Sequence, residues 1–261
     1  MAIAYNSYIP QIQNIYFVLD VANPKCLIDQ NTIKPLIDND NVGNFIRASQ
    51  SGTTTVESTT ASFTSLAFVS SGTIVYNTVV PAGDISPYFS AGGNRYFSTK
   101  NKSWNFSDFT WAIWYNPTTF LQRAYAPTLI DWKYSSARNT EFGLNGVGLP
   151  FINYRITTDP FSSTTADSSG PAANINTWNF TAVVRRSGDV KFFTNGSFSN
   201  TIAHNVNYEV GSGIGIGWGS DKDASWGNFN GKIGPIITYS SALSDEEIIL
   251  LYNSYRGRFG V

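Results

Sequence analysis

The chain has one cysteine, Cys26, and one histidine, His204, in 261 residues. A single cysteine excludes an internal disulfide framework and reads as a small buried apolar residue; a single histidine excludes a histidine cluster for zinc. Charged residues are only 13% of the chain and the net charge is −1, so no basic surface exists for nucleic acid or an anionic membrane. No apolar run approaches the roughly 18 residues that a membrane-spanning helix needs. Met1 to Asn14 lacks the charged start and apolar run of a secretory signal. Glutamate is scarce as well, confined to Glu57, Glu141, Glu209, Glu246 and Glu247. Retaining glycoside hydrolysis asks for two carboxyl groups about 5–5.5 Å apart, and none of the five lies in an alternating acid motif such as E-x-D-x-E. No G-x-S-x-G elbow accompanies His204 either. The expectation is that the protein is not an enzyme.

What is present is aromatic and turn-rich: 15% Phe, Trp and Tyr, with 22 glycines. That profile predicts many short strands joined by tight turns. The clearest stretch is 177–260. Trp178, Phe180, Ala182 and Val184 alternate with Asn179, Thr181 and Arg185, the period of a strand with one buried face. Ser187-Gly188-Asp189 turns the chain, Val190 to Thr194 returns it, and Asn195-Gly196 supplies the positive-φ pair of a tight hairpin. Phe229, Ile233, Ile237 and Tyr239 are expected inward, with Asn230, Lys232 and Thr238 opposite them. Ser244 with Glu247 three residues on is a capping box, and Leu243 can staple onto Ile248. Ile248, Leu251, Tyr252 and Tyr255 then form one apolar stripe, so a helix over 244–255 should lie on the sandwich.

Upstream, Phe109, Trp111, Ile113 and Tyr115 alternate with Thr110, Ala112 and Trp114, which predicts a central strand buried on both sides. Residues 15–21, 73–80 and 95–98 are further expected strands. The Ser/Thr tract 49–65 lacks an apolar period and reads as edge strands or a docking arm. Residues 157–175 read as a long polar loop. The glycine-rich run 211–217 lies between strands with no helix after it, so it is no dinucleotide loop.

The order of these pieces, TWNFTAVV, FFTNGS, GIGIGW and GNFNGKIGPIITYSSALSDEEI, resembles the concanavalin A-like lectin/glucanase superfamily in its laminin G-like or pentraxin-like branch. SDFTWAIWYNP, TLIDWK and YFVLDVANPK extend the likeness. It implies an all-β fold: a jelly-roll β-sandwich of two antiparallel sheets with one short C-terminal helix. One domain over 15–261 is expected, with an irregular insertion at 26–92 and an N-terminal docking arm at 1–14. The two ends, MAIAYNS and LYNSYRGRFG, are similar to lectin-like structural proteins of tailed bacteriophages. The run after Asn23-Pro24-Lys25 departs from that pattern.

The resemblance therefore implies a non-enzymatic virion structural protein, a capsid decoration or cement-like component that works through protein–protein contacts. Its partners would be other virion proteins, such as the major capsid protein or symmetry mates, and its location the virion. The alternative is a carbohydrate-binding adsorption module of a tail fibre that meets a host surface glycan; a glycan-cleaving enzyme is disfavoured. Sugar sites pair an aromatic platform with Asp or Asn groups. The loop holding Trp218, Asp221, Asp223 and Trp226 offers both, with Asp131 and Trp132 as second choice. Asp221 and Asp223 are also the hard-oxygen pair that calcium would use; no other cofactor is expected. Ile3, Tyr5, Tyr8 and Ile9 are the expected assembly contacts, since little within the chain would order them.

Overall fold

The computed structural model of the chain describes residues 14–20, 26–29, 32–39, 45–49, 89–90, 94–98, 104–120, 128–135, 138–155, 163–206, 208–210, 214–217 and 229–261. The first strands are β1 (Ile15–Leu19), β2 (Leu27–Asp29), β3 (Thr32–Ile33), β4 (Ile37–Asp38), β5 (Phe45–Ser49), β6 (Phe89–Ser90), β7 (Asn94–Ser98) and β8 (Trp104–Phe106). Then come β9 (Phe109–Pro117), β10 (Thr128–Ser135), β11 (Arg138–Leu144), β12 (Pro150–Arg155), β13 (Ser163–Asp167) and β14 (Asn179–Arg186). The chain closes with β15 (Asp189–Thr194), β16 (Ser197–Ala203), β17 (Tyr208–Val210), β18 (Ile214–Ile216), β19 (Gly231–Tyr239) and α1 (Asp245–Phe259). Sheet A runs β16-β15-β14-β9-β19-β1-β4, with β6 also paired to β19; sheet B runs β13-β12-β11-β10-β18-β7-β5-β3-β2; β8 and β17 form a separate ribbon. The jelly-roll sandwich of two antiparallel sheets with a C-terminal helix is what the sequence predicts.

The central strands of sheet A, β9, β14 and β19, are buried on both faces. Towards sheet B, sheet A presents Phe17, Phe109, Trp111, Ile113, Val183, Phe192 and Ile236, which join Ile130, Phe142, Ile152, Ala166 and Ile216 of sheet B in one apolar layer. Its other face carries Val18, Ala112, Trp114, Phe180, Ala182, Phe193 and Ile237, which pack under Ile248, Leu251, Tyr255 and Phe259 of α1. The central strand β9 behaves as expected. For β14 the expectation of one buried face is too narrow: Asn179 to Arg185 are all buried, because α1 covers the Phe180, Ala182 and Val184 side while Val183, in the inter-sheet layer, and Thr181, bonded to Tyr115, lie on the side that faces sheet B.

A second correction concerns β19. Ile233 and Ile236 belong to the inter-sheet layer, Ile237 and Tyr239 to the helix side, and Thr238 is buried too. The pairing with β9 is irregular between Ile233 and Ile236, around Gly234-Pro235, so the strand changes which parity faces inward. Gly234 also makes room there: a Cβ at this position would sit 3.1 to 3.2 Å from Trp114, Phe259 and Trp178.

The helix matches its signals and runs further. Ser244 accepts from the Glu247 amide while the Glu247 carboxylate accepts from the Ser244 amide, and Gly260 ends the helix in the left-handed region at φ 69°. Leu243 and Ile248 share the helix-side layer as a staple. Asp245, Glu246 and Glu247 occupy the first turn and Arg256 and Arg258 the last, the favourable arrangement for the helix dipole. Trp114 stacks on Tyr252 and Phe259, with ring centroids 5.5 and 4.5 Å apart. The turns Ser187-Gly188 and Asn195-Gly196 have the positive φ angles expected of them. Among the described residues no helix is long and apolar enough to cross a membrane.

Two stretches expected to be irregular supply strands. Residues 26–49 contribute β2 to β5, and the expected loop 157–175 contains β13. Ser163–Asp167 has a single buried apolar residue, Ala166, so it shows no alternation to detect. Residues 73–80, and the tract 49–65 beyond Ser49, lie outside the described residues.

The N-terminal strand is tied to the helix by a buried ion pair. Both guanidinium nitrogens of Arg258 donate to the Asp20 carboxylate at 2.7 Å, and both residues are 8% exposed. Asp20→Ala should cost about 3–5 kcal/mol in chemical denaturation by stranding a buried charge, and Asp20→Leu with Arg258→Met should recover most of it. Beside Asp20, the buried Cys26 thiol is pushed up from 9.0 to about 11 by desolvation, partly offset by the Asp20 amide that donates to its sulfur at 3.4 Å. Below pH 9 both folded and unfolded states hold the thiol proton. Between pH 9 and about 11 only the folded state keeps it, so its contribution to stability is lost across that window as pH rises. Denaturation curves should therefore show the gap between native protein and Cys26→Ala shrinking over those two units. A constant gap would place the thiol in a wetter setting than the fold shows.

Candidate functional site

The central strands of sheet A are covered on both faces, and the outer side of sheet B carries a line of polar residues. The register there is regular across four strands. Asp131 faces Glu141, Glu141 faces Asn153, and Asn153 faces Thr165. One residue along, Ile130, Phe142, Ile152 and Ala166 are likewise in register, and all four lie in the inter-sheet layer. Alternation therefore puts the four polar residues together on the opposite face. On the other side of β10, Asp131 faces Gly215 of β18, which puts no side chain next to it.

The row is joined by hydrogen bonds. Thr165 Oγ1 donates to Asn153 Oδ1 at 3.0 Å, and Asn153 Nδ2 donates to Glu141 Oε2 at 3.4 Å. One amide thus orients both neighbours, using its acceptor for the hydroxyl and its donor for the carboxylate. Exposure alternates along the row: Thr165 is exposed, Asn153 7% exposed, Glu141 half-buried and Asp131 2% exposed. Thr165 and Glu141 are the groups that solvent reaches, and Asn153 and Asp131 back them. Two residues beyond Thr165, desolvation pushes the Asp167 carboxyl above its ordinary value.

The β11–β12 hairpin is fixed by its turn. Asn145 Oδ1 accepts from the Val147 and Leu149 amides at 3.1 and 3.0 Å, and Gly148 adopts φ 82°. A Cβ on Gly148 would lie 2.7 Å from the Phe120 ring, so glycine serves here both for conformation and for space.

Of the residues chosen from sequence, Asp131 lies in this row, more deeply buried than a direct sugar contact would be. Trp132 follows it in β10, opposite Thr140 and Ile214, and its side chain lies outside the described residues. Trp218, Asp221, Asp223 and Trp226 lie outside the described residues, as do Ile3, Tyr5, Tyr8 and Ile9. The flanks of the 218–228 loop are described: Phe229 donates to the Gly217 carbonyl at 3.0 Å, and Gly217 donates to that of Leu129 at 2.9 Å. Both ends of the loop are therefore fixed beside β10, two residues from Asp131. Among the described residues, no group of three or more His, Cys, Asp or Glu could hold a metal ion. His204 is buried just after β16, its amide donating to the Gly188 carbonyl at 2.8 Å. Sequence reasoning passed over Glu141, Asn153 and Thr165. The available signal is slight: Glu141 and Asn153 each stand beside a buried apolar residue, Phe142 and Ile152, in two strands joined by a hairpin turn.

Several solved structures share the architecture. Domain 4 of AbnA, an extracellular arabinanase from Geobacillus stearothermophilus solved with arabinotriose, aligns over 92% of this chain and 98% of its own, with TM-score 0.62 and 13% identity. The binding domain of Paraclostridial Mosquitocidal Protein 1 aligns over 94% of this chain and 53% of its own, with TM-score 0.58 and 16% identity. A sialidase CBM40 from Ruminococcus gnavus, solved with α2,3-sialyllactose, aligns over 56% of this chain and 83% of its own, with TM-score 0.48 and 18% identity. No curated protein matches the sequence. The family model for a laminin G-type domain matches residues 91–249, more than half of the chain, and that stretch includes the whole polar row. By that match the chain belongs to the concanavalin A-like lectin/glucanases superfamily.

Proposed function

We propose that this protein is a non-enzymatic, lectin-like module that binds glycan on the outer face of sheet B. The observation that carries the reading is the row Thr165–Asn153–Glu141–Asp131, a line of hydrogen-bonding groups laid across a rigid sheet. A sugar offers vicinal hydroxyls, each both donor and acceptor, and the half-buried Glu141 and exposed Thr165 can meet two of them. Asn153 sets the orientation of both in advance, which lowers the entropic cost of binding. Support from the fold is the resemblance to domain 4 of AbnA, a domain seen with arabinotriose.

Hydrolysis fits the row less well. A retaining mechanism needs two carboxyl groups to flank one glycosidic bond. Asp131 is 2% exposed and so is shut away from a sugar that Glu141 could touch.

A phage particle as the setting rests on the resemblance of the two chain ends. The C-terminal end is committed to packing, since Leu251, Tyr255, Arg258 and Phe259 are buried against sheet A or Asp20. In this second reading, the docking element is the N-terminal segment with Ile3, Tyr5, Tyr8 and Ile9.

Arabinotriose and a panel of neutral and acidic oligosaccharides should be titrated against the full chain by calorimetry. Thr165→Val and Glu141→Gln should each weaken binding about three- to thirtyfold, the usual size of one neutral or charge-assisted hydrogen bond. If Trp226→Ala and Asp221→Ala abolish binding while these two leave it intact, the site is the 218–228 loop. Absence of binding across the panel would leave the structural role in a virion as the better reading.

A further inference from the structure

Sheets A and B are fastened along one side by a small polar clasp. Ser168 and Ser199 hydroxyls lie 2.6 Å apart, and the Gly170 amide donates to Ser199 Oγ at 3.1 Å. The Ser169 amide donates to Asn200 Oδ1 at 3.0 Å, Ser199 Oγ lies 2.9 Å from the same oxygen, and Asn200 Nδ2 donates back to the Asp167 carbonyl at 3.2 Å. Ser168 is 3% exposed, so the serine pair at the centre of the clasp is the part least open to water, while the Asn200 bonds lie at the surface.

Its two halves come from β16 and from the chain just after β13, each strand standing at an edge of its sheet. In the β15–β16 pair, Lys191 faces Thr201 and Phe193 faces Phe198, so Ser199 and Asn200 together oppose Phe192 alone. That extra residue is a bulge, and a bulge re-aims the side chains it contains. Here it releases Ser199 and Asn200 from the ladder to reach the other sheet. The segment they grip, 167–170, leads straight out of β13. Among the described residues, β13 is an edge strand of sheet B with β12 as its neighbour. Thr165, the exposed end of the polar row, lies two residues before the gripped Asp167.

We propose that the β16 bulge is a positioning device for the ligand face, with Ser199 and Asn200 of sheet A setting the place of Thr165 in sheet B. The proposal rests on the glycan-binding reading. An edge strand held on one side opens locally at low cost, and its far end needs a second anchor to keep a side chain in one place. The clasp is that anchor, and the Thr165 to Asn153 to Glu141 chain of hydrogen bonds passes the placement along the row. Ser199 and Asn200 touch no ligand; they act through Thr165.

The test is a double-mutant cycle read by arabinotriose binding to the full chain, together with hydrogen exchange of the 163–167 amides without ligand. Ser199→Ala should raise exchange in that strand and weaken binding about three- to tenfold, the size of one lost hydrogen bond. Ser199→Thr keeps the hydroxyl and should stay within about twofold of the native protein. In a Thr165→Val background, Ser199→Ala should cause no further loss of binding, because its route to the ligand is already cut. Additive losses would overturn the positioning role, as independent sites add. Unchanged exchange in Ser199→Ala would overturn it whether or not arabinotriose binds. If exchange rises but the native chain binds no oligosaccharide, the glycan reading fails with the ligand half of this proposal, and the mechanical hold of the clasp on β13 is upheld.

Discussion

Burial of sheet A on both faces is the constraint on which the rest of the molecule depends. A strand in such a sheet has no side on which to place a polar residue cheaply, so β9 and β19 are mostly apolar, and the polar Asn179, Thr181 and Arg185 of β14 are buried. The exceptions carry partners: Tyr115 and Thr181 hydroxyls meet at 2.7 Å, and Thr110 Oγ1 accepts from the Leu243 amide while donating to the Ser241 carbonyl. With the centre of sheet A committed to packing, sheet B, the loops, the chain ends and the exposed edge strand β16 are left for recognition. The fold divides the labour before any ligand is considered.

That division also explains the density of contacts around α1. A single helix must cover most of one face of sheet A, and it does so with rings: Trp114 stacks between Tyr252 and Phe259, and Trp178 leans on Phe259. Electrostatic ties fix where the helix lies. Arg258 holds its last turn to Asp20 of the N-terminal strand, Lys191 meets Asp245 at its first turn, and Arg186 donates to the carbonyls of Ala242 and Leu243. The buried Arg258 pair contributes mainly by fixing geometry, since its desolvation offsets much of its attraction, whereas the half-exposed Lys191 pair adds little.

Much of this architecture was legible in the sequence because strong local signals agree with the fold. The capping box at Ser244 and Glu247, the Asn195-Gly196 turn and the double-sided apolar run of β9 are each decided by neighbours in sequence. What was not legible depends on distant partners. Periodicity could not show that sheet B would cover the more polar face of β14, nor that Gly234-Pro235 would shift the parity of β19. The candidate site was the least legible part. Asp131 was singled out for an adjacent tryptophan, yet its structural companions Glu141, Asn153 and Thr165 come from three other strands. Only the pairing register brings them together, and register is a property of the sheet rather than of any one segment.

The polar row and the apolar layer beneath it are two readings of the same register, and this couples stability to recognition. Ile130, Phe142, Ile152 and Ala166 lock the four strands by burial, because a slip of one residue would carry all four to the outer face. The same lock holds Asp131, Glu141, Asn153 and Thr165 abreast. Selection for a packed core is therefore enough to keep a line of polar groups in order, with no separate device needed at three of the four strands. The exception is β13, whose buried apolar residue is the small Ala166 and which, among the described residues, has a neighbouring strand on one side alone. There the apolar lock is weakest, and there the structure adds the hydrogen-bonded clasp from the other sheet.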